Sequence, residues 1–161
     1  MSESMCTGCG LWIEGGTAGC RRLFDHILAR DFSDVSYFRV HRLLVDTYSL
    51  QHPDEFCVSA KSMAAHLTGL AWLLNYEGGR ATGSETLRRW VEAHPDVPRP
   101  KPPSFRGLQT IANVARANGP VEHEKAVEAW ARSTWHAYAA LHSVARQWIS
   151  QAFEAPSRPR R

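Results

Sequence analysis

Residues 41–53 read His41-Arg-Leu-Leu-Val-Asp46-Thr-Tyr48-Ser-Leu-Gln51-His52-Pro53, and their spacing is helical. With Val35, Phe38 and Val40 ahead of them, Leu43, Leu44, Tyr48 and Leu50 recur at intervals of three and four. Ser33 or Asp34 can cap such a helix, and Pro53 stops it. The pattern predicts one helix from about residue 34 to His52. Upstream, Leu23, Phe24, Ile27 and Leu28 give Cys20 to Phe32 the same period. Downstream, Ser59 caps a helix from Ala60 to about Tyr76, closed by Gly78-Gly79. A short helix, Ser84 to Ala93, carries Leu87, Trp90 and Val91 on one side. Pro95 to Gly107 contains five prolines and reads as a semi-rigid surface loop. Leu108 to Ala117 is helical. Val121 to Phe153 is the longest helix, with Val127, Trp130, Trp135, Tyr138, Leu141, Val144, Trp148 and Ile149. Strand signals are nearly absent: Leu11-Trp12-Ile13 is a short extended piece, Gly15 to Gly19 a loop, and no internal repeat appears. The expectation is all-α, a helical bundle of about five to six helices with an N-terminal metal-binding knuckle. Residues 1–155 form one domain, with the knuckle in 1–20, and 156–161 are a disordered basic tail.

The bulk numbers set bounds. At 161 residues the chain can bury a substantial core, and six tryptophans favour an aromatic one. The formal charge is only +3, and Arg158, Arg160 and Arg161 in the tail carry much of it. No basic stripe marks the folded part, so nucleic acid is a disfavoured partner. No apolar run approaches the roughly 18 residues of a membrane span, and the start lacks the order of a signal peptide. The chain therefore reads as cytoplasmic and free of the membrane. In a reducing compartment, four cysteines point to metal rather than disulfides.

Three of those cysteines stand as Cys6-Thr7-Gly8-Cys9-Gly10 and Cys20. Two-residue spacing lets Cys6 and Cys9 converge on one ion, with zinc the expected metal and bonds of about 2.3 Å. The loop to Cys20 is long enough to return a third thiolate. His52 is the first choice for the fourth ligand, because it ends a helix beside a proline. His26 and His41 stand behind it. A structural zinc, a catalytic one and a metal-free arm all remain open. Eleven residues of helix separate His41 from His52 by roughly 16 Å, so the two cannot share an ion while both are helical. Cys57 reads as a small buried hydrophobe.

Other polar residues lie on apolar stripes and need partners if buried. His41, Val45, Tyr48 and His52 share a face. Asp46 follows Arg42 by four, the spacing of an ion pair. His66 shares a face with Ser59, Met63 and Leu70, and His142 with Trp135, Tyr138 and Ile149. If His41, His66 and His142 converge, with Tyr48, they form a catalytic pocket walled by Trp135 and Tyr138. Such a pocket could hold a metal or perform acid–base chemistry near neutral pH.

The Cys-x-x-Cys-Gly knuckle, the later Cys20 before a helix, and the helix ending Gln51-His52-Pro53 resemble an uncharacterised bacterial family, a domain of unknown function. Lys61-Ser62, His66-Leu67, Trp130, Trp135, His142, Arg146 and Trp148 fit the same pattern, so the resemblance spans nearly the whole chain. Thr7 replaces the proline usual after the first cysteine, and Leu141 stands where a second histidine beside His142 is expected. The resemblance implies a fold more than a function.

Several chemistries lack their residues here. There is no glycine-rich phosphate loop or dinucleotide fingerprint, no Gly-x-Ser-x-Gly elbow, no deaminase signature and no Glu-x-x-His pair of a di-iron bundle. The leading expectation is a small-molecule enzyme using histidine acid–base chemistry and no organic cofactor. Examples are condensation or cyclisation in specialised metabolism. The alternatives are a non-catalytic zinc-stabilised binding module and a metal sensor. A small-molecule ligand is the expected partner, and a homodimer is allowed.

Overall fold

A single carboxylate, Asp34, ends one helix and starts the next. Its backbone is extended (φ −143°, ψ 116°), and its side chain accepts the Ser36 N–H at 2.9 Å. In the computed structural model, which describes residues 2–76 and 80–154, helix α1 (Gly16–Ser33) precedes this cap and α2 (Val35–Phe38) follows it. The helix expected over 34–52 is divided. After α2 the chain turns at Arg39 and Val40, and α3 (His41–Gln51) begins. The two apolar sets face different surroundings: Val35 and Phe38 are exposed, whereas Val40, Leu43, Leu44, Tyr48 and Leu50 are buried. Periodicity alone joins them; burial separates them. Pro53 acts as expected, ending α3 at His52 and opening α4 (Pro53–Phe56).

At the front, β1 (Glu3–Met5) pairs antiparallel with β2 (Trp12–Glu14), with Ser4 opposite Ile13. The extended piece expected at 11–13 is thus one strand of a hairpin, shifted by one residue. Helix α1 starts at Gly16, four residues before the sequence suggests. The glycines read as loop are its first turn, and a Cβ at position 19 would collide with the Glu14 carbonyl oxygen.

Helix α5 (Ala60–Asn75) is the centre of the bundle, packing against α3, α6, α8 and α9. Ser59 caps it reciprocally: its Oγ accepts the Ser62 N–H at 3.0 Å, and Ser62 Oγ accepts the Ser59 N–H at 3.2 Å. Met63, Ala64, Leu67, Leu70 and Ala71 are buried along it, and each large side chain contributes on the order of 1.5–3 kcal/mol. The Gly78-Gly79 stop lies outside the described residues. Helix α6 (Arg80–Ala93) starts earlier than Ser84. Helix α7 is shorter than expected, Ile111–Ala115, and is capped by Thr110 with Asn113.

The long final helix is also divided, into α8 (Gly119–Ala137), a 3-10 turn (Ala139–Leu141) and α9 (His142–Glu154). The break falls at Tyr138, whose hydroxyl donates to the Leu50 carbonyl at 2.6 Å. Among the described residues six helices have eleven or more residues. The architecture is all-α, with a two-stranded hairpin as its only sheet there. No described helix is long and apolar enough to cross a membrane. The basic tail lies outside the described residues.

The proline-rich segment is fastened at both ends. Arg99 Nε donates to the Cys57 carbonyl at 2.6 Å. Gln51 Nε2 donates to the carbonyls of Arg106 and Gln109 at 2.9 and 2.8 Å, and Trp130 Nε1 donates to Gln51 Oε1 at 2.9 Å. One buried amide therefore joins α3, α8 and the loop.

Candidate metal centre

The turn of the hairpin carries two of the thiols. Cys6 N–H donates to the Leu11 carbonyl at 2.7 Å and Gly10 N–H to the Cys6 carbonyl at 2.9 Å, which closes the turn and brings Cys9 back beside Cys6. Gly10 sits at φ 78°, a region glycine enters freely. Cys20 follows in the second turn of α1. His52 arrives from the junction of α3 and α4, with φ −125° and ψ 54° outside helical values.

One ligand atom from each of Cys6, Cys9, Cys20 and His52 lies within 4.8 Å of all the others. Cys9 and Cys20 Sγ are 3.7 Å apart, and His52 Nε2 is 3.4 Å from Cys6 Sγ and 3.5 Å from Cys20 Sγ. A tetrahedron with metal–sulfur bonds of about 2.3 Å and metal–nitrogen bonds of about 2.05 Å has S···S edges of about 3.8 Å and S···N edges of about 3.5 Å. The spacing fits a first-row dication. It does not fit a disulfide, whose sulfurs stand about 2.05 Å apart, and all four cysteines are free.

The surroundings orient the ligands. His52 Nδ1 lies 2.8 Å from the Tyr48 carbonyl, so in the neutral ring that binds a metal the proton sits on Nδ1 and the Nε2 lone pair faces the thiols. Tyr48 stacks between the rings of Phe24 and His52, at 3.8 and 3.9 Å. Its hydroxyl donates to Cys20 Sγ at 3.8 Å. Burial, and then Cys20, raises the Tyr48 pKa. Arg106 donates to the Gly8 carbonyl at 2.7 Å, tying the loop to the knuckle.

Electrostatics point the same way. Hydrogen bonds from Cys20 and Cys9 hold the Cys6 thiol far below its ordinary range, and the contact with Cys6 pushes Cys20 upward. Burial alone would lower His52, yet hydrogen bonding to Cys6 and Cys9 outweighs it and raises its pKa to about 9. A dication at this site would favour the ionised form of all three thiols. Cys6, Cys20 and His52 are buried and Cys9 half-buried.

The sequence reading named all four of these residues. His26 is exposed on α1, and His41, at the opposite end of α3 from His52, faces Asp31 instead. The expected catalytic group is distributed differently. His41 Nδ1 stands 3.4 Å from Asp31 Oδ2, His66 Nδ1 is 2.8 Å from Asp46 Oδ1, and His142 Nε2 donates to the Trp135 carbonyl at 2.8 Å. Each faces its own partner, and His41 also lines a cavity of about 410 Å³. Trp135 stacks on His142 at 3.9 Å, as their shared face suggests. Tyr138 is fully buried with its hydroxyl on the Leu50 carbonyl, and Tyr48 belongs with the thiols.

Sequence reasoning missed a second buried polar cluster. Asp31 is 1% exposed, with His123 Nε2 at 3.2 Å on one oxygen and His41 Nδ1 near the other. Arg30 donates to His123 Nδ1 at 2.7 Å. The signal was present: Asp31 continues the buried stripe of Cys20, Phe24 and Ile27, and His123 precedes Val127 and Trp130 on the buried stripe of α8. Arg42 Nε pairs with Asp46 Oδ2 at 3.0 Å, the ion pair expected from spacing, although Asp46 is wholly buried.

These features define a small all-α protein whose front carries a candidate metal-binding site of three cysteines and one histidine. The chain belongs to DUF5946, a family of unknown function, whose model matches residues 4–139. The match includes all four ligand positions. Nothing matches among curated proteins or among solved structures.

Proposed function

We propose that Cys6, Cys9, Cys20 and His52 bind a structural zinc ion, and that the protein is a zinc-stapled module that binds a small molecule in its helical body. The observation that carries the structural role is the ligand count. A catalytic zinc keeps a position open for water or substrate, whereas here the chain supplies four donors at tetrahedral spacing. Such an ion fastens the hairpin, α1 and the end of α3 to one another.

Elemental analysis of protein purified without added metal tests this reading, with about one zinc per chain expected and loss in Cys6→Ser or Cys9→Ser. The cobalt-substituted protein separates structural from catalytic roles. A closed site of three sulfurs and one nitrogen keeps its visible bands when azide is added; bands that shift would establish an open position and overturn the assignment.

A second reading, an enzyme with histidine acid–base chemistry, draws on one observation. Asp31 is buried, with one oxygen 3.4 Å from His41 Nδ1 and the other 3.2 Å from His123 Nε2. A histidine oriented by a carboxylate at a cavity wall suits proton transfer of the kind that condensations and cyclisations need. Turnover in a substrate screen that His41→Gln abolishes and His142→Gln retains would favour it over the binding module.

A further inference from the structure

A cavity of about 410 Å³ opens where α2 turns into α3, between that corner, Leu73 of α5 and Ser84 of α6. Its volume is at the small end of ligand sites. The floor is apolar: Phe38, Val40, Leu43 and Leu73. The polar lining is Arg39, His41, Arg42 and Ser84, and no acidic side chain lines it among the described residues. The neighbouring cavity of about 590 Å³ shares Arg42 and Ser84 but includes Glu85 and Glu92, which already pair with Arg88. Among the described residues the smaller cavity is lined by cationic side chains and no carboxylate, whereas the larger one mixes both signs.

The two arginines are held for different uses. Asp46, wholly buried and bonded also to His66, takes only Nε of Arg42, at 3.0 Å. The two terminal nitrogens of Arg42 have no partner among the described residues. Arg39 reaches one acid, Glu124, at 3.8 Å, with its side chain 72% exposed. His41 is fixed by aromatic contacts, stacked on Phe38 and edge-on to Phe32, each at 4.7 Å. Val40, at the start of α3, supplies no side-chain cap, so the helix end adds partial positive charge to the same corner.

We propose that this cavity binds a small organic carboxylate with an apolar body, its carboxylate on the terminal nitrogens of Arg42 beside Arg39 and its body on Phe38, Leu43 and Leu73. A planar guanidinium matches a carboxylate with two parallel hydrogen bonds. The apolar floor selects against a small, heavily hydrated anion such as phosphate. This assignment rests on the small-molecule reading above and specifies its ligand.

The test uses hydrocinnamate, its neutral primary amide and the corresponding amine, titrated into isotope-labelled, zinc-loaded protein. Hydrocinnamate shifts the backbone resonances of Arg42, Leu43 and Leu73, and the amide binds about tenfold more weakly, the loss expected for a charge-assisted hydrogen bond. Arg42→Gln and Arg39→Gln each weaken the acid and leave the amide unchanged. Should Arg42→Gln fold poorly once Asp46 is unpaired, the exposed Arg39→Gln decides alone. Equal binding of acid and amide, or an Arg39→Gln protein that binds the acid like the parent, overturns the carboxylate assignment and leaves the small-molecule reading standing. No shift with acid, amide or amine overturns both.

Discussion

The imidazole of His52 fills the space beside Gly8 that any side chain at position 8 would need: a Cβ built there collides with the edge of the ring. The knuckle closes on the histidine only because residue 8 ends at its Cα. Gly8→Ala must displace either the hairpin turn or the ring, an overpacking cost of about 1–3 kcal/mol. Metal occupancy and melting temperature are both expected to fall. Gly10→Ala is the control: position 10 has open space, so only its positive φ is strained, and zinc is retained. Full zinc occupancy in Gly8→Ala with an unchanged melt would show that this contact does not govern the site.

Alkylation should read the four cysteines in two classes. Burial raises the Cys57 thiol to about 12, and its sulfur donates to the Ser49 carbonyl at 3.5 Å. It stays protonated and inert at pH 8. In zinc-loaded protein all four resist iodoacetamide. After chelation Cys6, Cys9 and Cys20 label first, as peptide mass spectrometry can follow. Early labelling of Cys57 would mean that chelation opens the core and not just the front.

Gln51→Leu should be among the costly substitutions outside the metal site. It leaves the Trp130 indole N–H and the Arg106 and Gln109 carbonyls without their partner. The indole N–H is buried and the two carbonyls are half-buried, so a loss of about 3 kcal/mol is expected in denaturant melts, against about 1–3 kcal/mol for one unsatisfied buried group. Tyr138→Phe, which releases only the Leu50 carbonyl, costs about 1–2 kcal/mol by the same principle. Equal losses would contradict the role given to the amide.

Acid should loosen α6 before the bundle. Hydrogen bonds from Arg88, reinforced by Arg89, hold Glu85 at about 2, below its ordinary 4.5. A depressed carboxylate stabilises the fold fully above its unfolded pKa and loses that contribution as pH falls through the folded one. Amide protection across α6, measured against the intrinsic exchange rate at each pH, therefore falls between about pH 4.5 and 2, and added salt blunts the effect because the groups are exposed. Glu85→Gln removes the dependence.

The metal ligands could be named from the chain because each carries its own local cue: two-residue spacing and glycines for Cys6 and Cys9, a helix entrance for Cys20, a helix end before proline for His52. The catalytic trio could not be tested that way. Face-sharing places His66 and His142 on one side of a helix but does not say what that side meets, and they meet Asp46 and the Trp135 carbonyl. Helix breaks were hidden for a related reason. Val40 and Tyr138 interrupt sequences whose apolar spacing continues, because the breaks answer to long-range contacts such as Tyr138 with Leu50. The Asp31–His123 pair shows the opposite failure: its period was legible, but a charged residue on a buried stripe reads as an exception until its partner appears on another helix.

Three of the four ligands lie within the first twenty residues, while His52 is 46 positions beyond Cys6. A growing chain thus presents three thiolates well before it presents the imidazole. An ion captured at that stage keeps one exchangeable position, and it becomes locked only when α3 has formed and delivered residue 52. Closing so wide a loop carries an entropic cost, which the metal bonds offset once the helix is in place. Correct loading of such a site would in this sense be a timing problem, since an ion could arrive while the fold is still half written.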